Sequence, residues 1–219
     1  MLTDLVKQEK LIAILRGIPR DKIVPTVKAL RDGGIRFVEV TFAQNSPTCL
    51  EDTVRAISDI TQAVSGVSVG AGTVLSVAQV DAAHAAGAEY IISPNTDRAV
   101  IERTSALGML SMPGAFTPSE IVAAYEYGAA FVKLFPAGNL GVSYIKAIRA
   151  PISHIPLLAV GGVDLSNMAH FYQAGICGFG IGASITKKEL IESGDYPALT
   201  ALAKEYVSIA AQLGKERLV

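Results

Sequence analysis

Short apolar runs rich in Val and Ile recur along the chain, each followed by a turn and then a longer stretch with helical spacing. Eight runs are found: Leu11 to Leu15, Arg36 to Thr41, Val67 to Val69, Tyr90 to Ser93, Met109 to Met112, Phe131 to Phe135, Leu157 to Val160 and Gly178 to Ile181. Their starts lie roughly 20 to 30 residues apart, the length of a strand plus a crossover helix, which predicts parallel βαβ units. Between them, Ile23, Val27 and Leu30 recur at helical spacing before Gly33-Gly34, and Val54, Ile57, Ile60 and Val64 do so before Gly66. Val77 to Ala86 ends at Gly87, and Thr117-Pro118 is an N-cap and first-turn pair for a helix over Ser119 to Tyr127. Met1 to Glu9 predicts an extra helix before the first strand, and Tyr196 to Gln212 a long final one.

Eight consecutive units without a shift in composition predict a single (β/α)8 TIM barrel with an extra N-terminal helix, residues 1–219 forming one domain. An open doubly wound sheet is the alternative, because sequence does not show closure. Leu165 to Thr186 contains no Asp, Glu, Lys or Arg, but Ser166, Asn167, His170, Gln173 and four glycines interrupt it and predict a helix followed by a strand rather than a membrane span.

A composition of 50% hydrophobic and 18% charged residues excludes a disordered chain. The 19 basic and 20 acidic side chains, net charge −1, argue against a broad electrostatic footprint for nucleic acid or membrane, while leaving room for a local anion site. Cys49 and Cys177 are too few for a disulfide scaffold. The opening Met1 to Lys7 has no secretory apolar core, so a reducing, cytoplasmic setting is expected. His84, His154 and His170 share no ligand spacing with one another or with a Cys, so a dedicated zinc site is not expected.

Two charged residues interrupt apolar runs. Glu39 lies in Phe37-Val38-Glu39-Val40 and Lys133 in Phe131-Val132-Lys133-Leu134-Phe135. Strands covered on both sides offer such groups no route to water. A buried structural ion pair is one reading. Alternation offers another: with Glu39 and Lys133 inward, their apolar neighbours face the helices, and the second and sixth strands lie opposite each other in a ring of eight. An amine among apolar groups has its charged form disfavoured, and the neutral amine attacks a ketone, the entry to Schiff-base chemistry. A nearby carboxyl then moves protons.

Late in the chain, Gly161-Gly162 follows the seventh run, and Gly182-Ala183-Ser184 follows the eighth. Phosphate in such barrels binds at this place, and Ser184 is expected to add a hydroxyl at the start of a short helix. Arg16, after Ala13-Ile14-Leu15, projects a guanidinium toward the barrel mouth, suited to a carboxylate. The ligand implied carries a ketone, a carboxylate and a phosphate.

Glu39 in Val38-Glu39-Val40-Thr41, Gly70-Ala71-Gly72-Thr73-Val74, Ser93-Pro94-Asn95, Met112-Pro113-Gly114, Val132-Lys133-Leu134-Phe135-Pro136-Ala137, Gly161-Gly162 and Gly182 to Ser184 together resemble the 2-keto-3-deoxy-6-phosphogluconate aldolase family of class I pyruvate aldolases. The resemblance implies a trimeric barrel that cleaves 2-keto-3-deoxy-6-phospho sugar acids to pyruvate and glyceraldehyde 3-phosphate with no metal and no cofactor. By that resemblance Lys133 is the Schiff-base lysine and Glu39 the general acid/base. Thr73, Pro94 and Phe135 surround pyruvate, and Gly161, Gly162, Gly182 and Ser184 cradle phosphate. Where some members have a carboxylate-binding arginine four residues beyond the glutamate, this chain has Ala43; Arg16 matches the first-strand arginine of other members. Ala159-Val160-Gly161-Gly162 and Ile12 to Ile18 resemble the 2-keto-3-deoxy-6-phosphogalactonate type, and the Gln44-Asn45-Ser46 loop leaves 4-hydroxy-2-oxoglutarate open as a substrate. A phosphosugar isomerase or epimerase barrel, and a non-catalytic barrel that binds a phosphorylated sugar acid, are the competing readings.

Overall fold

The computed structural model describes residues 1–213; residues 214–219 of the expected domain lie outside the described residues. A first helix α1 (Leu2–Glu9) leads into β1 (Leu11–Leu15), α2 (Arg20–Asp32), β2 (Phe37–Thr41) and α3 (Cys49–Ala63). Then follow β3 (Ser68–Gly72), α4 (Val77–Ala85), β4 (Tyr90–Ile92), α5 (Arg98–Ala106), β5 (Leu110–Met112), β6 (Gly114–Ala115) and α6 (Pro118–Glu126). The chain continues through β7 (Val132–Leu134), α7 (Ala137–Arg149), β8 (Leu157–Val160), α8 (Met168–Gln173) and β9 (Gly178–Ile181), then α9 (Lys188–Ser193) and α10 (Tyr196–Leu213).

All pairings are parallel, in the order β5-β4-β3-β2-β1-β9-β8-β7-β6. The two ends of that order are neighbours in sequence, separated by Pro113, so the sheet curls into a ring. Here the structure refines the eight-run expectation: the fifth stave is split in two. Proline brings no N–H to a ladder. Residues before it pair with β4, whereas Gly114 and Ala115 pair with β7, and the Pro113 carbonyl accepts from Lys133 N at 2.8 Å. The stretch Leu165 to Thr186 is α8 followed by β9, as its interrupting polar residues predict, and no helix among the described residues is long and apolar enough to cross a membrane.

Alternation sorts the core into two bodies. Leu11, Ala13, Leu15, Val38, Val40, Val132 and Leu134 face outward against Val27, Leu30, Ile57 and Ile60 of the helices. Ile12, Phe37, Tyr90, Ile92, Met112, Phe131 and Leu158 point inward and pack with Val6 of α1, which plugs the end of the barrel where the strands begin. This inner cluster fills the lower barrel; the charged residues take the next inward positions up. Strand β3 makes room for them. At Gly70 a Cβ would lie 2.1 Å from the Tyr90 ring, and at Gly72 it would lie 1.6 Å from Glu39 Oε1. The local caps hold as read: Thr117 Oγ1 accepts from Glu120 N, and Glu120 returns the bond to Thr117 N, a capping box at the start of α6.

Candidate active site

A cavity of about 980 Å³ opens at the end of the barrel where the strands finish. Its wall contains every candidate residue: Arg16 after β1, Glu39 on β2, Thr73 after β3, Pro94 after β4, Lys133 and Phe135 at β7, Gly161 and Gly162 after β8, and Gly182 and Ser184 after β9. Residues up to 168 positions apart in sequence meet here because each sits at the upper end of its own stave. Ala43 does not; it lines a separate cavity of about 400 Å³ between the starts of α2 and α3. Of the two arginine positions, the one occupied here therefore faces the large cavity.

Glu39 and Lys133 are both buried, 1% and 6% exposed. They do not form a hydrogen-bonded ion pair, and Glu39 Oε2 has no hydrogen-bond partner. Burial pushes the Glu39 carboxyl above its ordinary value, with Lys133 and Arg16 pulling the other way. Burial holds the Lys133 amine below the usual lysine value; Glu39 opposes this and Arg16 reinforces it. Burial thus pushes each of the two groups toward its neutral form within one cavity, while each draws the other toward its charged form. Such opposed shifts mark groups suited to exchange protons. The Lys133 Nζ lies 4.7 Å from the centre of the Phe135 ring, which is partly exposed at the cavity wall. Beneath them, the Tyr90 hydroxyl donates to Val38 O at 2.6 Å and fixes the β2 backbone next to Glu39.

Beside Phe135, at the end of the adjacent strand β8, Gly161 and Gly162 take φ of +85° and +73°, conformations natural to glycine. Their carbonyls are held by Gly138 N at 2.8 Å and Asn167 Nδ2 at 2.7 Å, so the turn is fixed from behind. Ser184 departs from expectation. Gly182 to Thr186 forms a turn rather than the start of a helix, α9 beginning only at Lys188. The Ser184 hydroxyl donates to Val163 O at 2.9 Å. Arg16 Nη2 donates to Thr73 Oγ1 at 3.2 Å at the mouth.

Several contributors went unseen in the sequence. Tyr90 reads as an ordinary core aromatic, and Asn167 only as one of the polar residues that interrupt the stretch from Leu165 to Thr186. Lys188, Glu192 and Asp164 also line the cavity, and nothing in their spacing marks them.

A parallel barrel with a buried, charge-disfavoured amine and a buried carboxyl at its mouth defines the class, a class I lyase barrel. Residues 2–202 match the family described as KDPG and KHG aldolase. The chain is 41% identical over 182 residues to a probable 2-dehydro-3-deoxy-6-phosphogalactonate aldolase of Rhizobium meliloti (strain 1021), covering 82% of this chain and 83% of that one. It is 35% identical to the 2-dehydro-3-deoxy-phosphogluconate aldolase of Treponema pallidum (strain Nichols), covering 85% and 86%. A solved structure described as native KDPGal superposes with a TM-score of 0.81 at 36% identity, covering 94% of this chain and 96% of that one. The chain belongs to the KDPG and KHG aldolase family.

Proposed function

We propose that the protein cleaves a 2-keto-3-deoxy-6-phospho sugar acid, of the galactonate type, to pyruvate and glyceraldehyde 3-phosphate. The observation that carries this is Lys133, a buried amine with its charged form disfavoured, in the same cavity as the unpartnered carboxyl of Glu39. The galactonate preference rests on Val160, which gives the cavity an apolar wall where many gluconate-type enzymes have a threonine, and on relatives of that name at 41% identity. The same chemistry acts on 4-hydroxy-2-oxoglutarate, giving pyruvate and glyoxylate.

In this reading neutral Lys133 attacks C2 of the substrate, and loss of water from the carbinolamine gives an iminium. Glu39 moves the protons, first to the departing hydroxyl and then from the C4 hydroxyl as the C3–C4 bond breaks. The bonding electrons pass into the iminium to form an enamine while the aldehyde leaves. Protonation at C3 and hydrolysis then release pyruvate and return the free amine. Arg16 grips the carboxylate in bidentate fashion, Thr73, Pro94 and Phe135 shape the pyruvate pocket, and the Gly161-Gly162 and Gly182 to Ser184 backbone receives the phosphate.

We propose further that residues 1–219 act as one domain, that the chain works as a homotrimer, and that it resides in the cytoplasm. Exposed Phe116, Val122 and Tyr125 around α6 support an assembly face. The deciding experiment measures pyruvate release from both C4 epimers and from 4-hydroxy-2-oxoglutarate, together with borohydride trapping of pyruvate on Lys133. Turnover retained in Lys133→Ala would transfer the site to isomerase chemistry. Saturable binding without turnover would make it a binding barrel.

A further inference from the structure

The arginine expected to hold the substrate carboxylate stands at an open cavity mouth, where a long side chain has many rotamers. Its contact within the chain is Thr73, whose Oγ1 accepts from Arg16 Nη2 at 3.2 Å. Thr73 is itself in an unusual state: a β-branched residue at φ +58°, a left-handed conformation that such side chains avoid. A conformation of this kind persists only when its surroundings over-determine it.

The surroundings are two glutamines, one in the loop after β2 and one in the first turn of α4. Beyond β2 the chain stays alongside β3, with Phe42 N donating to Gly72 O at 2.8 Å, and this delivers Gln44 to Thr73. Gln44 Nε2 donates to the Thr73 carbonyl at 2.6 Å. Its Oε1 accepts from Gln79 Nε2 at 3.1 Å, and Gln79 Oε1 accepts from Leu75 N at 2.7 Å. The relay therefore grips the turn on both sides of Val74 and is anchored on α4, whose N-cap Ser76 accepts from Gln79 N. Neither glutamine lines the cavity.

We propose that Gln44 and Gln79 are positioning residues that lock Thr73 in its left-handed turn and, through its hydroxyl, aim Arg16 at the substrate carboxylate. This rests on the assignment of the carboxylate to Arg16, and it gives the Gln44-Asn45-Ser46 loop a role beside the position occupied by Ala43.

The test uses pyruvate as probe, with borohydride trapping on the intact protein to find the half-saturating concentration, alongside steady-state cleavage and thermal melting. Gln44→Ala and Gln44→Glu, the latter keeping the bond from Gln79 but losing the donor to Thr73 O, should each raise half-saturation about 5- to 20-fold. The kcat should stay within about twofold, because the interaction lost is the same in ground and transition states. In an Arg16→Ala background Gln44→Ala should add nothing further, the signature of action through that residue. Unchanged half-saturation in both Gln44 variants, or effects that multiply with Arg16→Ala, would overturn the inference while leaving the aldolase reading intact. If Arg16→Ala itself leaves half-saturation unchanged, the carboxylate assignment has failed and the inference with it.

Discussion

Replacing Gly72 with alanine tests whether the position of the Glu39 carboxyl, rather than its mere presence, supports catalysis. The added Cβ would lie 1.6 Å from Glu39 Oε1, 2.3 Å from Cδ and 2.5 Å from Cγ. Ordinary contact between such atoms is about 3.5 Å, so the carboxyl must withdraw by roughly 1.5 to 2 Å or the β2–β3 pair must part. A misplacement of about 1 Å in a reacting group is enough to cost on the order of 100-fold. The kcat/KM of Gly72→Ala should therefore fall at least about 100-fold, equivalent to about 2.7 kcal/mol of transition-state stabilisation. Overpacking adds a stability loss of about 1–3 kcal/mol, or several degrees in Tm for a chain of this size. Pyruvate release coupled to lactate dehydrogenase reads the activity, and melting reads the stability. Activity of Gly72→Ala within threefold of the parent would refute the positional argument, because no arrangement of Glu39 that tolerates the methyl leaves its carboxyl in place.

Glu39→Gln should lower turnover strongly yet raise Tm at neutral pH. The folded-state value of Glu39 is raised above 4.5 by burial, so ionisation destabilises the fold as pH rises through that value, and the variant's advantage should vanish as pH falls toward 4.5. A melting series from pH 4 to 8 showing no such convergence would count against a buried, unpartnered carboxylate. The rate of borohydride trapping should rise with pH through a midpoint below the lysine value of 10.5, because the neutral amine is the nucleophile. Arg16→Ala, which removes a positive neighbour, should shift that midpoint upward. Ser184→Ala should change KM for phosphorylated substrate by less than about twofold, its hydroxyl being committed to Val163 O, and its effect should fall on stability instead, about 1 kcal/mol by melting. Tyr90→Phe removes the bond to Val38 O and should cost about 1 kcal/mol in stability by melting.

The staves of the barrel were legible because parallel strands covered on both faces leave apolar runs that no other element explains. Lys133 and Glu39 were legible for the same reason inverted, as charges where the pattern allows none. The break in the fifth stave was present as Pro113, yet a proline after an apolar run marks a strand end more often than a strand that changes partners. That change is set by the pairing of Gly114 with Lys133, a fact of the ring rather than of the segment. The contact made by the Ser184 hydroxyl was unreadable on similar grounds: its partner, Val163 O, lies 21 residues away on the neighbouring loop.

The glycines show why the site resists a purely local reading. Gly70-Ala71-Gly72 reads as a turn, but both glycines lie within β3 and their missing side chains are the space that Tyr90 and Glu39 occupy. On the opposite side, a Cβ at Gly178 would come within 2.9 Å of Leu158 and one at Gly180 within 2.8 Å of Val160. Two staves thus surrender their inward side chains so that neighbours can reach across, and the cavity exists where those neighbours stop. A substitution at any of these positions acts on a residue from another stave. Gly180→Ala should therefore move Val160, and with it the preference between C4 epimers, because discrimination by a single hydroxyl depends on that wall holding its place. Competition between the two epimers in the pyruvate-release assay measures this ratio, and an unchanged ratio in Gly180→Ala would separate epimer choice from the Val160 wall.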